Sequence, residues 1–335
     1  MRTRFKPSPE QRSDLRAQLA RVQHPPVALE LLHPVLPQGF VPSEVQVTTE
    51  RVHPDRFVLR VEARSASSAP RAFALKGYAD DFVERVWAYS QSLALVHRPN
   101  HRGLSLPIHY SAPDRLLISE WVPGEFLSDV LDERKPNLLR QAALLAADVH
   151  QLPLVPERLT TPEMIVEEAI ARCNRLRTKW PETSSLIEPM MDELQQAAAC
   201  LEPAEPAPVH GDLSPGQFVW TGERLVLFDL DAFGYTDPAY DIGHFLAQVE
   251  RRSIVDLTVR PLTRAWLECF EDAYLDAMPW VSRRNVAFYR GLTLVAKMYT
   301  IRRREPTYWE GPLSLLATHA HAVFEEVITA AECAR

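Results

Sequence analysis

Basic side chains are fewer than acidic ones in this sequence, and long apolar runs are missing. The 335 residues include 37 Lys and Arg against 44 Asp and Glu, which gives a net charge of -7. General nucleic-acid binding needs a basic surface, so this balance argues against that class of function. No apolar run approaches the length of a membrane-spanning helix, so we expect no membrane segment. The acidic excess is compatible with a cationic ligand, although solubility alone also explains it.

Cysteine is scarce, and its positions are far apart. The four copies are Cys173, Cys200, Cys269 and Cys333. This spacing is typical of free thiols in a reducing compartment rather than of a metal site or a disulfide framework. The N-terminal segment Met1 to Lys6 is basic but lacks the apolar stretch of a secretory signal. We therefore expect a soluble, cytoplasmic protein.

Glycine is absent between Gly39 and Gly77. This segment instead contains three runs with strand character, at Glu44 to Val52, Arg56 to Glu62 and Arg71 to Tyr78. Turn residues separate the runs, which predicts an antiparallel sheet. Because the first hairpin contains no glycine, this sheet has no glycine-rich loop for binding phosphate.

Lys76 is a single charge in the otherwise apolar run Phe73-Ala74-Leu75-Lys76-Gly77. A lysine on the buried face of a sheet needs an anionic partner, and phosphate is one candidate. On this run alone, a solvated lysine on an edge strand remains the alternative.

Helical spacing follows from Asp80 to Val96, and a strand at Leu116 to Glu120 then runs into Pro123-Gly124. Beyond these breakers the pattern is mainly helical.

The stretch from Val209 to Asp241 contains the polar residues best suited to chemistry. Two short apolar runs, Phe218 to Trp220 and Leu225 to Phe228, flank a turn and predict a β-hairpin. Gln217 precedes the first run and Asp229 follows the second. Because a hairpin brings its outer ends together, we expect these two side chains to lie side by side. Carboxylate and amide oxygens are ligands that Mg²⁺ prefers.

The order of residues in this stretch resembles a family signature. His210-Gly211-Asp212 is followed by the apolar run ending in Phe228-Asp229, and then by Asp237-Pro238-Ala239-Tyr240-Asp241. This compound motif is similar to that of the aminoglycoside phosphotransferase-like small-molecule kinases, which are relatives of protein kinases. The family's metal-ligand Asn is replaced here by Gln217. We expect a subgroup of the family with Gln at this position and D-x-D downstream.

The resemblance implies a nucleotide-binding role for four earlier residues. Lys76 is expected to bind the nucleotide phosphates, and Glu84 matches the helix glutamate that pairs with this lysine. Backbone groups around Glu120 and Val122 match the hinge that meets the edge of adenine. A surface glutamate and a simple interdomain linker are the alternatives for these two segments.

The resemblance also implies the catalytic and metal-binding residues. Asp212 is expected to be the catalytic base, because an ordinary aspartate is ionised at neutral pH and can accept a hydroxyl proton. Gln217 and Asp229 are expected to hold Mg²⁺. Asp231 follows two residues later and would share the face of Asp229 in a regular strand, but we expect the chain to turn at Asp231. An auxiliary or second-metal role is a candidate for this residue.

These expectations define a fold and an activity. The fold is α+β and two-lobed like that of protein kinases, with a small antiparallel-sheet lobe at residues 1–121, a mostly helical lobe at residues 122–335, and ATP between them. In this fold His210 and Asp241 support the catalytic loop through buried hydrogen bonds. The activity implied by the resemblance is transfer of the γ-phosphate of ATP, with Mg²⁺, to a hydroxyl of a small molecule such as an aminoglycoside, a sugar or an amino alcohol.

Two other classes of function explain part of the pattern. A metal-dependent hydrolase would use Asp212, Asp229 and Asp231 to bind metal and activate water, but it leaves Lys76 and the hinge unexplained. A catalytically inactive kinase-like protein would bind nucleotide without turnover, which Gln217 and the missing glycines favour. No motif encodes the phosphate acceptor, the choice of ATP over GTP, or the oligomeric state.

Overall fold

The computed structural model describes residues 7–96, 103–157, 159–304 and 307–333. These residues form an α+β fold whose N-terminal part is built on an antiparallel sheet and whose C-terminal part is mainly helical. The predicted fold class is therefore confirmed. Within the described ranges, no helix combines the length and the apolar character needed to cross a membrane.

The chain divides into two compact units. The smaller unit contains the described residues up to Gly124 together with the returning segment Val226–Asp231. The larger unit contains Glu125–Leu225 and the described residues from Ala232 onward. The predicted lobes were two contiguous segments, so the sequence-based division did not include this return of the chain.

Two short helices precede the sheet of the smaller unit, α1 at Pro9–Val22 and α2 at Pro25–Leu32. The Ser8 hydroxyl accepts a hydrogen bond from the Gln11 backbone nitrogen at 3.1 Å, and the Gln11 side-chain oxygen accepts one from the Ser8 nitrogen at 2.8 Å. This capping box satisfies backbone donors that the start of a helix leaves without intrahelical partners. Leu15, near the middle of α1, is buried in the core of the unit.

The sheet of the smaller unit is antiparallel and has the strand order β1-β2-β3-β5-β4. Its strands are β1 (Glu44–Val52), β2 (Arg56–Arg64), β3 (Arg71–Tyr78), β4 (Pro107–Ser111) and β5 (Leu116–Glu120). Helix α3 (Phe82–Val96) follows β3. The three predicted strands are present, and β1 and β3 have the predicted bounds.

The two faces of this sheet differ. Phe57 and Leu59 of β2 and Phe73 and Leu75 of β3 are buried in one cluster with side chains from α1 and α2. Full burial of such a side chain stabilises the fold by about 1.5–3 kcal/mol. Because successive strand residues point to opposite faces, Lys76 lies on the other face, away from this core.

The larger unit is built mainly from helices. They are α4 (Lys135–His150), α5 (Pro162–Lys179), α6 (Ser184–Ala198), α7 (Ala239–Val255), α8 (Arg260–Ala277), α9 (Arg283–Arg304) and α10 (Glu310–Glu332). Its short strands are β6 (Glu125–Phe126), β7 (Ala207–Val209), β8 (Phe218–Trp220) and β10 (Gly234–Thr236), and β9 (Leu225–Leu227) begins in it. Helix α7 packs against α8 and α9. Phe245 of α7 stacks on Phe270 of α8 with ring centroids 3.7 Å apart, which helps to hold the two helices together.

Candidate functional site

Three side chains of β2 and β3 lie next to the returning segment. Lys76 and Tyr78 are two residues apart on β3 and therefore share a face of the sheet. Arg56 is the partner of Tyr78 in the β2–β3 register. The returning segment adds Asp229 and Asp231 within the same unit. We call these five residues the Lys76 cluster.

Both carboxylates of the Lys76 cluster contact the lysine. The Lys76 Nζ atom lies 2.5 Å from Asp229 Oδ1 and 2.7 Å from Asp231 Oδ1. The Tyr78 hydroxyl donates to Asp231 Oδ1 at 2.7 Å, and Arg56 Nε lies 4.0 Å from Asp231 Oδ2. The side chains of Lys76 and Asp231 are only 18% and 10% exposed, so water screens these charges less than it screens a surface ion pair.

The charges of the cluster hold each other in their ionised forms. Burial alone would lower the pKa of Lys76, but the carboxylates of Asp229 and Asp231 outweigh it, and the pKa is raised. Burial likewise opposes the charge of Arg56, and the neighbouring carboxylates again raise its pKa. Lys76 is therefore a protonated cation at neutral pH, which is the state needed to bind phosphate.

The two carboxylates converge through a backbone turn. Strand β9 ends at Leu227, Asp229 has a φ of 68°, and Leu230–Ala232 forms a 3-10 turn. A left-handed conformation costs a non-glycine residue about 1–2 kcal/mol, so the surrounding contacts must hold it. The chain thus turns at this point, as expected, and Asp231 does not follow Asp229 along a regular strand. The turn nevertheless brings both carboxylates to the same ammonium group.

The oxygen donors of the Lys76 cluster fit a divalent cation. Two carboxylate oxygens lie within 2.7 Å of one ammonium nitrogen, so a positive charge already stands where they converge. Mg²⁺ takes such oxygens as ligands and usually completes its octahedral shell with water and phosphate. In the part of the chain that the structure describes, no three His, Cys, Asp or Glu side chains form a ready-made metal site. Amide, phosphate or water oxygens would have to complete the shell.

Gln217 belongs to the larger unit and ends the 3-10 turn Pro215–Gln217, directly before β8. Its side chain is partly buried, and its backbone nitrogen donates to Ser214 O at 2.9 Å. The turn after β8 is closed by Thr221 N, which donates to Arg224 O at 3.0 Å. The amide oxygen of Gln217 is chemically suited to Mg²⁺. Its role as a metal ligand stays a prediction.

Asp241, at the start of α7, holds the backbone of the loop after β7. Its Oδ2 accepts a hydrogen bond from His210 N at 2.6 Å, and its Oδ1 accepts one from Gly211 N at 2.9 Å. His150 Nε2 lies 3.2 Å from Asp241 Oδ2, while His150 Nδ1 lies 2.7 Å from the Tyr274 hydroxyl. All four contacts are buried, so the predicted supporting role of Asp241 is confirmed.

Asp241 remains a carboxylate although it is fully buried. Burial would raise its pKa, but the hydrogen bond and charge of His150, the charge of His210 and the hydrogen bond from Gly211 outweigh burial and lower the pKa. The ionised form makes stronger hydrogen bonds to backbone N–H groups than a neutral acid would. The loop after β7 is thus held by charge-assisted hydrogen bonds.

Gly211 occupies a position that other residues do not fit. Its φ is 79°, and a Cβ atom there would lie 2.2 Å from the carbonyl oxygen of Ala232. Both the left-handed backbone and the close approach favour glycine. The direction in which the next residue, Asp212, leaves the loop therefore depends on Gly211.

Asp212 is accessible to solvent. Its side chain is 57% exposed, and its Oδ1 lies 3.3 Å from Nε2 of His244, a buried residue of α7. The Asp212 backbone nitrogen donates to His210 Nδ1 at 3.3 Å. Burial and the charge of Lys297 lower the pKa of His244, against the opposing effect of the Asp212 carboxylate. The imidazole beside Asp212 is therefore neutral at pH 7, and the exposed carboxylate can accept a proton from a ligand.

Glu84 lies in the first turn of α3 and is solvent-exposed. The ion pairs of Lys76 in the described ranges are those with Asp229 and Asp231. The structure thus brings the lysine together with Asp229 and Asp231, two of the three predicted metal ligands. Pairing of Lys76 with Glu84 stays a prediction.

The predicted hinge residues lie at the C-terminal end of β5. Glu120 is the last residue of the strand and pairs with Phe73. Beyond it, Trp121 N donates to Ala72 O at 2.9 Å, so the sheet hydrogen bonding extends one residue further. Val122 follows and is partly buried. Contact of these backbone groups with adenine stays a prediction.

The sequence interpretation missed three residues next to the predicted site, Arg56, Tyr78 and His244. Tyr78 could have been found, because a strand residue two positions after Lys76 shares its face. Arg56 requires the β2–β3 register, which no local pattern gives. His244 lies three residues after Asp241 on α7, and no motif marks it.

Residues 34–284 match the model of a phosphotransferase enzyme family. This match covers most of the chain, and the chain belongs to that family of small-molecule kinases. The resemblance found in the stretch from Val209 to Asp241 is therefore confirmed, while the subgroup defined by Gln217 stays a prediction. No curated protein is significantly similar to the chain.

Solved structures of several small-molecule kinases have a similar fold. A choline kinase from Cryptosporidium parvum is 11% identical and has a TM-score of 0.63, with 91% of this chain and 96% of that chain covered. A macrolide 2'-phosphotransferase from Brachybacterium faecium is 16% identical and has a TM-score of 0.55, with coverage of 88% and 97%. An amicoumacin kinase in complex with AMP-PNP and Ca²⁺ is 17% identical and has a TM-score of 0.60, with coverage of 93% and 96%. At these identities the likeness establishes the fold.

Proposed function

We propose that the protein transfers the γ-phosphate of ATP to a hydroxyl group of a small molecule. The observation that carries this proposal is the Lys76 cluster, in which a largely buried lysine contacts two carboxylates. Phosphoryl transfer requires a cation for the phosphates and carboxylates for a metal ion, and this cluster provides both kinds of group. Membership of the phosphotransferase family supports the same chemistry.

The smaller unit would bind the nucleotide. Lys76 would contact its phosphates, and Glu84 would orient Lys76. Backbone groups around Glu120 and Val122 would meet the edge of adenine. The solved amicoumacin kinase contains AMP-PNP and Ca²⁺, which supports an adenine nucleotide and a divalent metal here.

Three oxygen-bearing side chains would hold Mg²⁺, namely Asp229, Asp231 and Gln217. The bound metal would neutralise charge that develops on the transferred phosphoryl group. Tyr78 donates its hydroxyl hydrogen to Asp231 Oδ1. This hydrogen bond fixes the orientation of the Asp231 carboxylate, which a metal with strict octahedral geometry requires.

Asp212 would act as the catalytic base. The acceptor oxygen forms a bond to the γ-phosphorus, the bond from that phosphorus to the ADP oxygen breaks, and the hydroxyl proton passes to the Asp212 carboxylate. Exposure of this carboxylate gives an acceptor access to it. The hydrogen bonds that Asp241 accepts hold the preceding loop residues in place.

Nucleotide titrations with and without Mg²⁺ test the proposal. We expect ATP at a hundredfold excess over its dissociation constant to stabilise the protein by about 2.7 kcal/mol. Calorimetry should show that Lys76→Met and removal of Mg²⁺ each weaken ATP binding. Binding that is indifferent to Mg²⁺ would contradict the metal assignment, and absence of binding would contradict the kinase assignment.

ATP consumption against a panel of sugars, amino alcohols and aminoglycosides tests turnover. We expect at least one class to give acceptor-dependent release of ADP. Nucleotide binding without turnover on any acceptor would favour the inactive, nucleotide-binding alternative. Release of phosphate from substrates in the absence of nucleotide would favour a hydrolase.

A further inference from the structure

Helix α7 carries a row of polar side chains that begins next to Asp212. His244, Gln248 and Arg251 are spaced by four and three residues, so they lie on one face of the helix. His244 Nε2 lies 3.3 Å from Asp212 Oδ1 and 2.9 Å from Gln248 Nε2. Gln248 Oε1 accepts a hydrogen bond from Arg251 Nε at 3.2 Å. Consecutive contacts therefore connect the proposed base to a guanidinium group.

The positive charge at the end of this row is not neutralised. Arg251 is partly buried, and within the described ranges no acidic side chain lies at ion-pairing distance from it. Glu250, its neighbour in the sequence, is occupied elsewhere. Its Oε2 accepts from Arg290 Nε at 2.6 Å, and its Oε1 lies 2.5 Å from His319 Nδ1. The hydrogen-bonded partner of Arg251 is the neutral amide of Gln248.

Other cations add to this positive charge. Burial together with the charges of Arg304 and Arg252 lowers the pKa of Arg251. The charge of Lys297, on α9, likewise lowers the pKa of His244. A guanidinium stays protonated even so, because its ordinary pKa is far above neutral. A partly buried cation among like charges is unfavourable without an anion, and such uncompensated groups are characteristic of ligand sites.

We propose that the phosphate acceptor carries a carboxylate or phosphate group, and that Arg251 binds this group while the acceptor hydroxyl lies at Asp212. The inference rests on the proposed function and narrows its substrate class. The planar guanidinium suits two parallel hydrogen bonds to either anion. Because Arg251 Nε donates its hydrogen bond to Gln248 Oε1, the terminal Nη atoms of Arg251 remain for binding the ligand.

The spacing of the row fits a small acidic alcohol. Seven residues of helix separate His244 from Arg251, which corresponds to about 10 Å along the axis of α7. The arginine side chain reaches back over part of that distance. A hydroxy acid, a hydroxy amino acid, a sugar acid or a phosphorylated polyol can span the remainder. The positive charge of Arg251 repels the amino groups of a polycationic acceptor.

Matched acceptor pairs test this inference. Each pair differs by one anionic group: glucuronate with glucose, serine with serinol, and glycerol 3-phosphate with glycerol. We expect the anionic member of at least one pair to have a kcat/KM about tenfold to hundredfold higher, the usual worth of a hydrogen-bonded charge. The carboxylate and phosphate pairs show which anion is preferred.

Variants of two adjacent arginines provide the control. Arg251→Gln should abolish the preference for the anionic acceptor, mainly by raising its KM. Arg251→Lys keeps the charge without the planar fork and should retain part of the preference. Arg252→Gln removes an exposed arginine whose Nη2 atom lies 3.3 Å from Asp256 Oδ2, and it should retain all of the preference. Melting temperatures establish that the variants are folded.

Calorimetric titration of the anionic acceptors into the full chain without nucleotide gives a readout that does not need turnover. We expect the best-bound acceptor to lose at least tenfold in affinity in Arg251→Gln and little in Arg252→Gln. Equal use of both members of every pair, or equal losses in the two variants, would overturn the inference while leaving a kinase. Absence of ATP binding would instead overturn the proposed function, and Arg251-dependent binding of an anion would still be measurable.

Discussion

Asp212 and Asp229 are both predicted to take part in the chemistry, but their surroundings differ. The Asp212 side chain is 57% exposed, whereas that of Asp229 is 23% exposed and forms an ion pair with Lys76. A catalytic base must be reached by a hydroxyl group, while a metal ligand must be held in one position. The different surroundings therefore favour different roles, which substitution of each residue separates.

Asp212→Asn removes the proton acceptor but keeps the size of the side chain. We expect turnover to fall by about 10²–10⁴-fold, with ATP affinity nearly unchanged. Asp229→Asn removes a charge from the Lys76 cluster, so both Mg²⁺-dependent ATP binding and turnover should fall. Calorimetry with ATP and steady-state rates provide the measurements. Equal losses of ATP binding in the two variants would show that the roles are wrongly assigned.

Gln217→Asn shortens a proposed metal ligand by one methylene group. Mg²⁺ requires near-octahedral geometry with ligand oxygens at about 2.0–2.1 Å from the metal. A loop adapted to Gln should therefore hold the metal less well when Asn replaces it. We expect a higher Mg²⁺ requirement and lower turnover. Rates against Mg²⁺ concentration in both forms give the comparison. A clear gain in activity would indicate instead that Gln217 marks loss of function.

The loop after β7 depends on the left-handed backbone conformation of Gly211. Gly222 has a similar conformation in another turn, and its substitution serves as the control. Gly211→Ala combines a left-handed φ with a clash against the Ala232 carbonyl, whereas Gly222→Ala has a φ of 95° and no atom near its Cβ position. We expect Gly222→Ala to cost about 1–2 kcal/mol in unfolding free energy and to leave kcat unchanged.

Gly211→Ala should cost about 1–3 kcal/mol more than this control, because of the clash, and should also lower kcat. Urea unfolding and steady-state rates of both variants provide the comparison. A stability loss in Gly211→Ala no larger than that of the control would mean that the close approach to Ala232 is not important.

The elements of the smaller unit were largely predictable, and the convergence at the site was not. The runs of β1 and β3 have local alternation and are bounded by turn residues, so their ends could be read directly. The meeting of Asp229 and Asp231 depends on a left-handed residue and a 3-10 turn, which the residue pattern around them does not encode. Arg56 joins the cluster through a strand register that depends on long-range packing.

Buried carboxylates in the larger unit make the stability of the whole protein depend on pH. Burial would raise the pKa of Glu250, but His319 and Arg290 outweigh it and lower the pKa, and the pKa of Asp241 is also lowered. A lowered pKa in the folded state contributes stability above the unfolded value of about 4, and this contribution is lost as the pH falls below it. Burial raises the pKa of Asp237, so acidification relieves a cost at that residue.

Glu250→Gln tests this dependence away from the proposed base and metal ligands. The change removes the carboxylate paired with the largely buried Arg290, so we expect a loss of about 3–5 kcal/mol at pH 7. Between pH 5 and pH 3 the variant should lose less stability than the wild type, because one titrating carboxylate is gone. Urea unfolding at several pH values measures both effects, with the exposed Glu188→Gln as control. Parallel pH profiles of variant and wild type would contradict the assignment.

The return of Val226–Asp231 to the smaller unit limits which gene segments relatives can exchange and where engineered chimeras can be joined. Lys76 precedes Asp229 by 153 residues and Asp231 by two more, although the lysine and both carboxylates that stabilise its charge belong to one compact unit. A fragment that ended at Gly124 would retain the lysine without either carboxylate, and burial would then favour a neutral amine. The smaller unit therefore cannot be exchanged between relatives as one contiguous gene segment. A chimera joined there would combine a lysine from one parent with the carboxylates of another.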